Sequence, residues 1–246
     1  MERYTYHDLL AYLGVGGAHP GGLPLTKEIV RELPIKSTDH ILDAGCGTGQ
    51  TAAFLADQYG CHVTAMDQHP IMIEKSKERF TDREVTVDLV KGNIENSQLE
   101  AGTFDWIIVE PVTVFTNIEK AVNEYWRLLR TGGVLIDLEM TAADSLSKEE
   151  LGEFQSLYGL HEIPKASDWK RIFKMAGFRT VDSFKEDTVA EVLMRQSFDT
   201  EAFAQQEIDF SVALDPALYE IWDHHQLLTE AFANRLKYVV YRAEKG

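Results

Sequence analysis

Between residues 25 and 140 the spacing of apolar residues alternates between two periods. In LTKEIVRELPI (25–35), Leu25, Ile29, Val30 and Leu33 share one face at helical spacing, which predicts a helix. HILDAG (40–45) is a short apolar run that ends in a turn, the mark of a buried strand. The same pair of patterns then repeats. GQTAAFLADQYG (49–60) predicts a helix closed by Gly60, CHVTAMD (61–67) a second strand, and PIMIEKSKERF (70–80) a helix with Pro70 in its first turn. VTVDLVKGN (85–93) contains a third strand, and FDWIIVE (104–110) is a fourth. IEKAVNEYWRLLRTGG (118–133) predicts an amphipathic helix stopped by Gly132 and Gly133, and VLIDLEM (134–140) a fifth strand. Strands with no obvious polar alternation, each followed by a helix, imply a parallel sheet covered on both faces.

Beyond residue 141 the rhythm changes. SKEELGEFQSLYG (147–159) reads as a helix, and ASDWKRIFKMAGF (166–178) as another, with Ser167 as N-cap and Gly177 as stop. FRTVDSFKED (178–187) and KYVVYRAEK (237–245) predict two late strands. Residues 190–235 separate them, far too many for a hairpin turn, and their aromatic and aliphatic residues recur every three or four positions. They are read as a helical insertion whose aromatics, Phe198, Phe203, Phe210, Tyr219, Trp222 and Phe232, form a core of its own, with part of that set facing a small apolar substrate.

The chain has 246 residues, enough for one large α/β domain with a small lid, and its 44% hydrophobic and 26% charged residues are ordinary for a soluble globular protein. A formal net charge of −16, with Lys and Arg scattered, speaks against nucleic acid and against an acidic lipid leaflet as partners. No apolar run approaches the roughly 20 residues of a membrane helix. The first residues, MERYTYHDLLAYL, lack a signal-peptide pattern. Cys46 and Cys61 alone make neither a disulfide scaffold nor a metal site, and no H-E-x-x-H or C-x-x-C spacing occurs, so no metal is expected. A cytoplasmic protein is the expectation.

The sharpest chemistry lies in ILDAGCGTGQT (41–51). A buried strand runs into Asp43, Gly45, Gly47 and Gly49, and a helix follows. Such a loop brings backbone N–H groups close to a polar ligand at the carboxyl edge of a parallel sheet. A dinucleotide fingerprint needs G-x-G-x-x-G, but here the glycines are spaced G-x-G-x-G and residue 50 is Gln. The pattern closely resembles the first motif of class I S-adenosylmethionine-dependent methyltransferases of the small-molecule type. That resemblance implies a Rossmann-like seven-stranded, mostly parallel sheet flanked by helices, with the last strand antiparallel and the helical insertion between the last two strands. It divides the chain into an N-terminal gate segment (1–24), a methyltransferase domain (25–189 and 236–246) and an insertion or lid (190–235). In that family such insertions often cover the acceptor or mediate dimerisation, so a homodimer is compatible.

The resemblance also implies S-adenosyl-L-methionine as cofactor and assigns residues to it. The glycine loop contributes Asp43, Gly45, Cys46, Gly47 and Gly49. Asp67, at the end of the second strand, would accept bonds from both ribose hydroxyls, with Gln68 beside it. Met72 is placed against the adenine face, as helix residue or as core. Where the family often shows Gly-Asp-Ala, this chain has Asn93 and Ile94, an amide and an apolar contact for adenine. Glu110 ends the fourth strand in Glu-Pro-Val-Thr, a departure from the Asn/Asp-Pro-Pro-aromatic form that argues against methylation of DNA adenine or glutamine. Glu110, Thr113 and Phe115 are candidate walls of the pocket, with packing roles equally open.

The implied reaction is methyl transfer to a small-molecule acceptor. A general base is needed only if the acceptor loses a proton during attack. Candidates are His19, Glu110, His161, His224 and His225, of which His19 and Glu110 are taken as catalytic. His19 stands inside GVGGAHPGG (14–22), a stretch read as a gate over the site rather than a slack leader. Three other readings stay open: a cofactor-binding regulator or scaffold without catalysis, methylation of a protein partner, and a nicotinamide-dependent oxidoreductase.

Overall fold

The computed structural model describes residues 4–142, 146–198, 208 and 214–246. Their backbone forms a seven-stranded sheet in the order β3-β2-β1-β4-β5-β7-β6. The strands are β1 (His40–Ala44), β2 (His62–Asp67), β3 (Asp88–Lys91), β4 (Phe104–Val109), β5 (Leu129–Ala142), β6 (Phe178–Thr188) and β7 (Leu236–Lys245). β1 to β5 run parallel, and β7 runs antiparallel between β5 and β6. The strand order reverses beside β1, where β2 lies on one flank and β4 on the other. That switch point opens a crevice at the carboxyl ends of β1 and β4.

Two apolar layers sandwich the sheet. On one face α2 (Gly22–Arg31), α3 (Gln50–Tyr59) and Phe80 of α4 (Pro70–Asp82) cover Ile41, Val63 and Ile108. On the other, α1 (Tyr6–Leu13), α5 (Ile118–Leu128), α6 (Lys148–Tyr158) and α7 (Ala166–Met175) cover Leu42, Ile107 and Leu135. Each central strand therefore buries both of its faces, which explains the unbroken apolar runs.

α8 (Val189–Phe198) and α9 (Pro216–Phe232) lie between β6 and β7. Of the insertion's aromatics, Phe203, Phe210 and the Phe198 side chain lie outside the described residues. The others do not make a separate core. Phe232 meets the Phe154 ring of α6 edge-on at 5.0 Å, Trp222 packs on the same main cluster, and Tyr219 is exposed. The physical reason is that α9 lies against α1 and α6 and shares their apolar seam.

Three local expectations are corrected. The helix read from Leu25 already begins at Gly22, inside the glycine stretch, and it is preceded by α1, closed at its start by a capping box between Thr5 and Asp8. α5 ends at Leu128 rather than at the glycine pair, because the Arg127 and Leu128 carbonyls accept the N–H groups of Gly102 and Thr103 and Leu129 pairs with Phe104. Gly132 and Gly133 instead lie inside a bulged start of β5, where a Cβ on Gly133 would come within 2.9 Å of two carbonyl oxygens. α7 starts one residue before Ser167, and its N-cap is Lys165.

α5 also fixes the turn after β3. The Glu124 carboxylate accepts the Ser97 N–H at 2.9 Å and the Ser97 hydroxyl, and pairs with Arg127 at 2.7 Å. The Arg127 guanidinium and these donors lower the Glu124 pKa to about 2. A depressed carboxyl stabilises the fold fully above its ordinary value of 4.5, and that contribution is lost as pH falls towards 2. Glu124→Gln should cost about 1–3 kcal/mol in urea denaturation at neutral pH and flatten the acid limb of the stability profile.

Candidate active site

The loop from β1 to α3 is built around three left-handed glycines, at φ 77° (Gly45), 54° (Gly47) and 76° (Gly49). They are glycines for different reasons. A Cβ on Gly45 would stand 2.3 Å from Val112 of the loop after β4, and one on Gly49 would stand 2.7 Å from the Phe80 ring. A Cβ on Gly47 would meet nothing within 4 Å. Two of the three therefore let neighbouring elements close in, and Gly47 faces open space. The loop is held from behind: Gly45 and Cys46 donate to the Met66 carbonyl, Ser76 to that of Gly47 at 2.8 Å, and Arg79 to that of Thr48 at 2.7 Å.

Carboxylates surround this loop. Asp43, at the end of β1, is almost fully buried, and its Oδ2 has no hydrogen-bond partner. Burial, and then the Glu110 charge, push its pKa well above the usual carboxylate range. Asp67 accepts the Gly47 N–H at 2.9 Å and the His69 N–H at 2.8 Å, and burial raises it as well. Glu110 accepts the hydroxyls of Thr26 (2.7 Å) and Thr51 (2.8 Å), one from α2 and one from the first turn of α3.

His19 comes to the same place. Its Nε2 lies 3.3 Å from the Thr26 hydroxyl and 3.9 Å from Glu110, and its side chain is only 2% exposed. The Pro20 carbonyl, 3.2 Å from Nδ1, can only accept, so a neutral ring carries its proton on Nδ1 and its lone pair on Nε2. The glycine stretch around it is seated on the β1–α3 loop. Thr48 donates to the Val15 carbonyl at 3.4 Å, and Gly16 leaves no room for a Cβ because the Gln50 side chain would lie 2.9 Å away. Gln50, where a dinucleotide fold has no such side chain, fills the gap between the two loops.

The other expected residues divide. Ile94 and Met72 are buried, Gln68 is exposed, and Asn93 caps the turn at 94–96 by accepting the Glu95 N–H at 2.8 Å. The Cys46 side chain turns into the packed layer under α2 and α3, and burial raises its thiol pKa, so only its backbone belongs to the loop surface. Thr113 and Phe115 stand in the short turn after β4, and Phe115 meets the His7 ring of α1 at 4.8 Å. His225 bonds the Tyr158 hydroxyl at 2.8 Å, burial lowers it to about 4, and His161 lies exposed. Thr26, Thr51 and the α1 residues were not singled out from the sequence. α1 reaches the site through Asp8, which bonds His69 at 3.1 Å, and through His7, which feels the Asp67 charge. Isolated hydroxyls in helices carry no sequence signal. The Thr-x-x-Asp capping box before an apolar run in residues 5–8 could have revealed α1.

Comparison with known proteins points the same way. A family model described as a methyltransferase domain matches residues 41–133. Over those residues the chain carries a methyltransferase domain, and it shares its Rossmann-like fold with solved methyltransferases. An uncharacterised methyltransferase of Bacillus subtilis, YodH, is 29% identical over 245 residues, covering 100% of both chains. The ubiquinone/menaquinone biosynthesis C-methyltransferase of Zymomonas mobilis is 33% identical over 165 residues, 65% of this chain and 64% of that one. A phosphoethanolamine N-methyltransferase of Haemonchus contortus, solved with S-adenosylhomocysteine, superposes with a TM-score of 0.75 at 18% identity, covering 97% of this chain and 56% of that one. Another Haemonchus contortus phosphoethanolamine N-methyltransferase structure of this fold, 19% identical with a TM-score of 0.72, was solved with S-adenosyl-L-methionine.

The residues present suit that cofactor. It carries an ammonium and a sulfonium, and the glycine loop is ringed by Asp43, Asp67 and Glu110, one with a buried oxygen that no donor among the described residues satisfies. A pyrophosphate would be repelled by the same three acids. Gly45→Ala should lower stability by about 3 kcal/mol or more through overpacking and positive φ, read by thermal denaturation. Gly47→Ala should stay folded, losing about 1–2 kcal/mol to positive φ, and bind S-adenosylhomocysteine more weakly in calorimetry.

Proposed function

We propose that this methyltransferase moves the methyl group of S-adenosylmethionine to a small-molecule acceptor, with cofactor and acceptor meeting in the crevice above β1 and β4. The observation that carries the reading is the partnerless Asp43 oxygen buried beneath the glycine loop, next to Glu110. A buried carboxylate oxygen without a donor is costly, and a cationic ligand repays it.

The bound cofactor supplies an already activated methyl group on a sulfonium. The chain's own residues then bind and orient. Asp43 and Glu110 hold the cationic end, and Asp67 takes the ribose hydroxyls while the Gly47 N–H keeps its carboxylate in place. Asn93 presents its amide to the adenine edge, with Ile94 and Met72 supplying apolar surface. Glu110 is fixed by two hydroxyls, so its charge stays put as the reaction proceeds, which is where preorganisation contributes most. His19, with its Nε2 lone pair beside Glu110, is the group that takes a proton from an acceptor that must lose one. The loop 14–21 over Gln50 and α1 over His69 exclude water from the same crevice.

Calorimetric titration checks this directly. S-adenosylhomocysteine should bind, and Asp43→Asn or Asp67→Ala should weaken it by about tenfold, or about 1.4 kcal/mol, while circular dichroism stays native. No heat with either S-adenosylmethionine or S-adenosylhomocysteine would sink the reading. With a turned-over acceptor in hand, His19→Ala should lower kcat by about tenfold or more, a usual range for a proton-transfer group, and move cofactor affinity far less.

A further inference from the structure

β5 carries two acids in its otherwise apolar stretch 134–140, Asp137 and Glu139, both with 0% exposure. Two residues apart, they point to the same face of the sheet. Glu139 Oε1 accepts the backbone N–H groups of Val112 (3.1 Å) and Thr113 (2.7 Å). Asp137 Oδ2 accepts the Thr113 hydroxyl at 2.9 Å. The remaining oxygens, Asp137 Oδ1 and Glu139 Oε2, are buried and receive no hydrogen bond from the described residues, and the two carboxyls act electrostatically on each other. Two such acids on one buried face satisfy one another only if one carries a proton. A single shared proton leaves one negative charge, matched by two amides and one hydroxyl.

What the pair grips is the turn that follows Glu110. The same turn places Val112 against Gly45 of the glycine loop and Phe115 against His7 of α1. Neither carboxyl is among the groups assigned above to cofactor or acceptor. We propose that Asp137 and Glu139, joined by one proton, are positioning residues: they hold the 110–116 turn, and with it Glu110 and Val112, in the shape that cofactor binding and methyl transfer require. The inference rests on the methyl-transfer reading for its consequence, though not for the proton itself.

Burial raises both carboxyls, Asp137 to about 7, and Glu139 well above its ordinary value through burial and then repulsion from Asp137. The titratable groups facing the pair are Tyr125 from α5, whose hydroxyl lies 3.3 Å from that of Thr113, and Tyr241, opposite Asp137 on β7. Glu186 of β6 acts on Tyr241 from farther out. Unfolded carboxyls release their protons near pH ~4, whereas the folded pair retains its shared proton, so this contribution to stability is complete below that pH and declines as pH rises through the native value.

The test uses the full chain with ¹³C-labelled Asp and Glu. A side-chain carboxyl resonance assigned to Asp137 or Glu139 should titrate at least about two pH units above the ordinary carboxylate range. Exchange protection of the Val112 and Thr113 amides should fall over the same interval. S-adenosylhomocysteine affinity should drop about tenfold from mildly acidic to alkaline pH, equivalent to one proton linked over one pH unit. Glu139→Gln keeps an oxygen for the two amides and gives Asp137 a permanent N–H donor, so in this variant both pH dependences should be lost. Both carboxyls titrating in the ordinary range, or Glu139→Gln keeping the wild-type pH dependence, would overturn the proposal. If wild type binds no S-adenosylhomocysteine at any pH, the methyl-transfer reading fails. The carboxyl titration and amide protection then still decide whether the proton is shared.

Discussion

Asp43 is the constraint around which the site is arranged. A carboxyl at the end of a central strand, buried and short of one hydrogen bond, is an expensive thing for a fold to keep. Its surroundings make sense once that cost is accepted. Glycines at 45, 47 and 49 bring the loop back over it without side chains in the way, and α4 clamps the loop from below through Ser76 and Arg79. Glu110 stands close enough to raise Asp43 further, but is itself tied to two threonines from separate helices. The fold has concentrated negative charge at its switch point and surrounded it with donors too few to neutralise it.

Most of the scaffold was legible in the sequence because buried parallel strands leave a signature that few other contexts produce. HILDAG, CHVTAMD and FDWIIVE became β1, β2 and β4 with only residue-level adjustment at their ends. Where the reading failed, a longer-range partner won. Gly132–Gly133 looked like a helix stop, but strand pairing of Leu129 with Phe104 ended α5 earlier. Ser167 is a good cap by type, yet the helix starts beside it with Lys165 in the capping position.

The candidate site was legible to the extent that it is made of backbone. Glycine spacing and the acids at strand ends can be seen in one dimension. The hydroxyls of Thr26 and Thr51 cannot, since only the folded chain brings α2 and α3 to Glu110. The pair on β5 is the instructive case. VLIDLEM reads as a strand despite its two acids, and those acids were the signal: charged residues in a strand buried on both faces need a reason. The structure supplies one in the backbone amides of the 110–116 turn.

The seating of GVGGAHPGG has a consequence for timing. Gly16 lies against Gln50, Thr48 bonds Val15, and His19 is sealed beneath Pro20 and Thr26. Under the methyl-transfer reading proposed above, a molecule lying on the glycine loop would leave only once these contacts break, and release of spent cofactor would set the pace of the cycle at the door rather than at the bond being made.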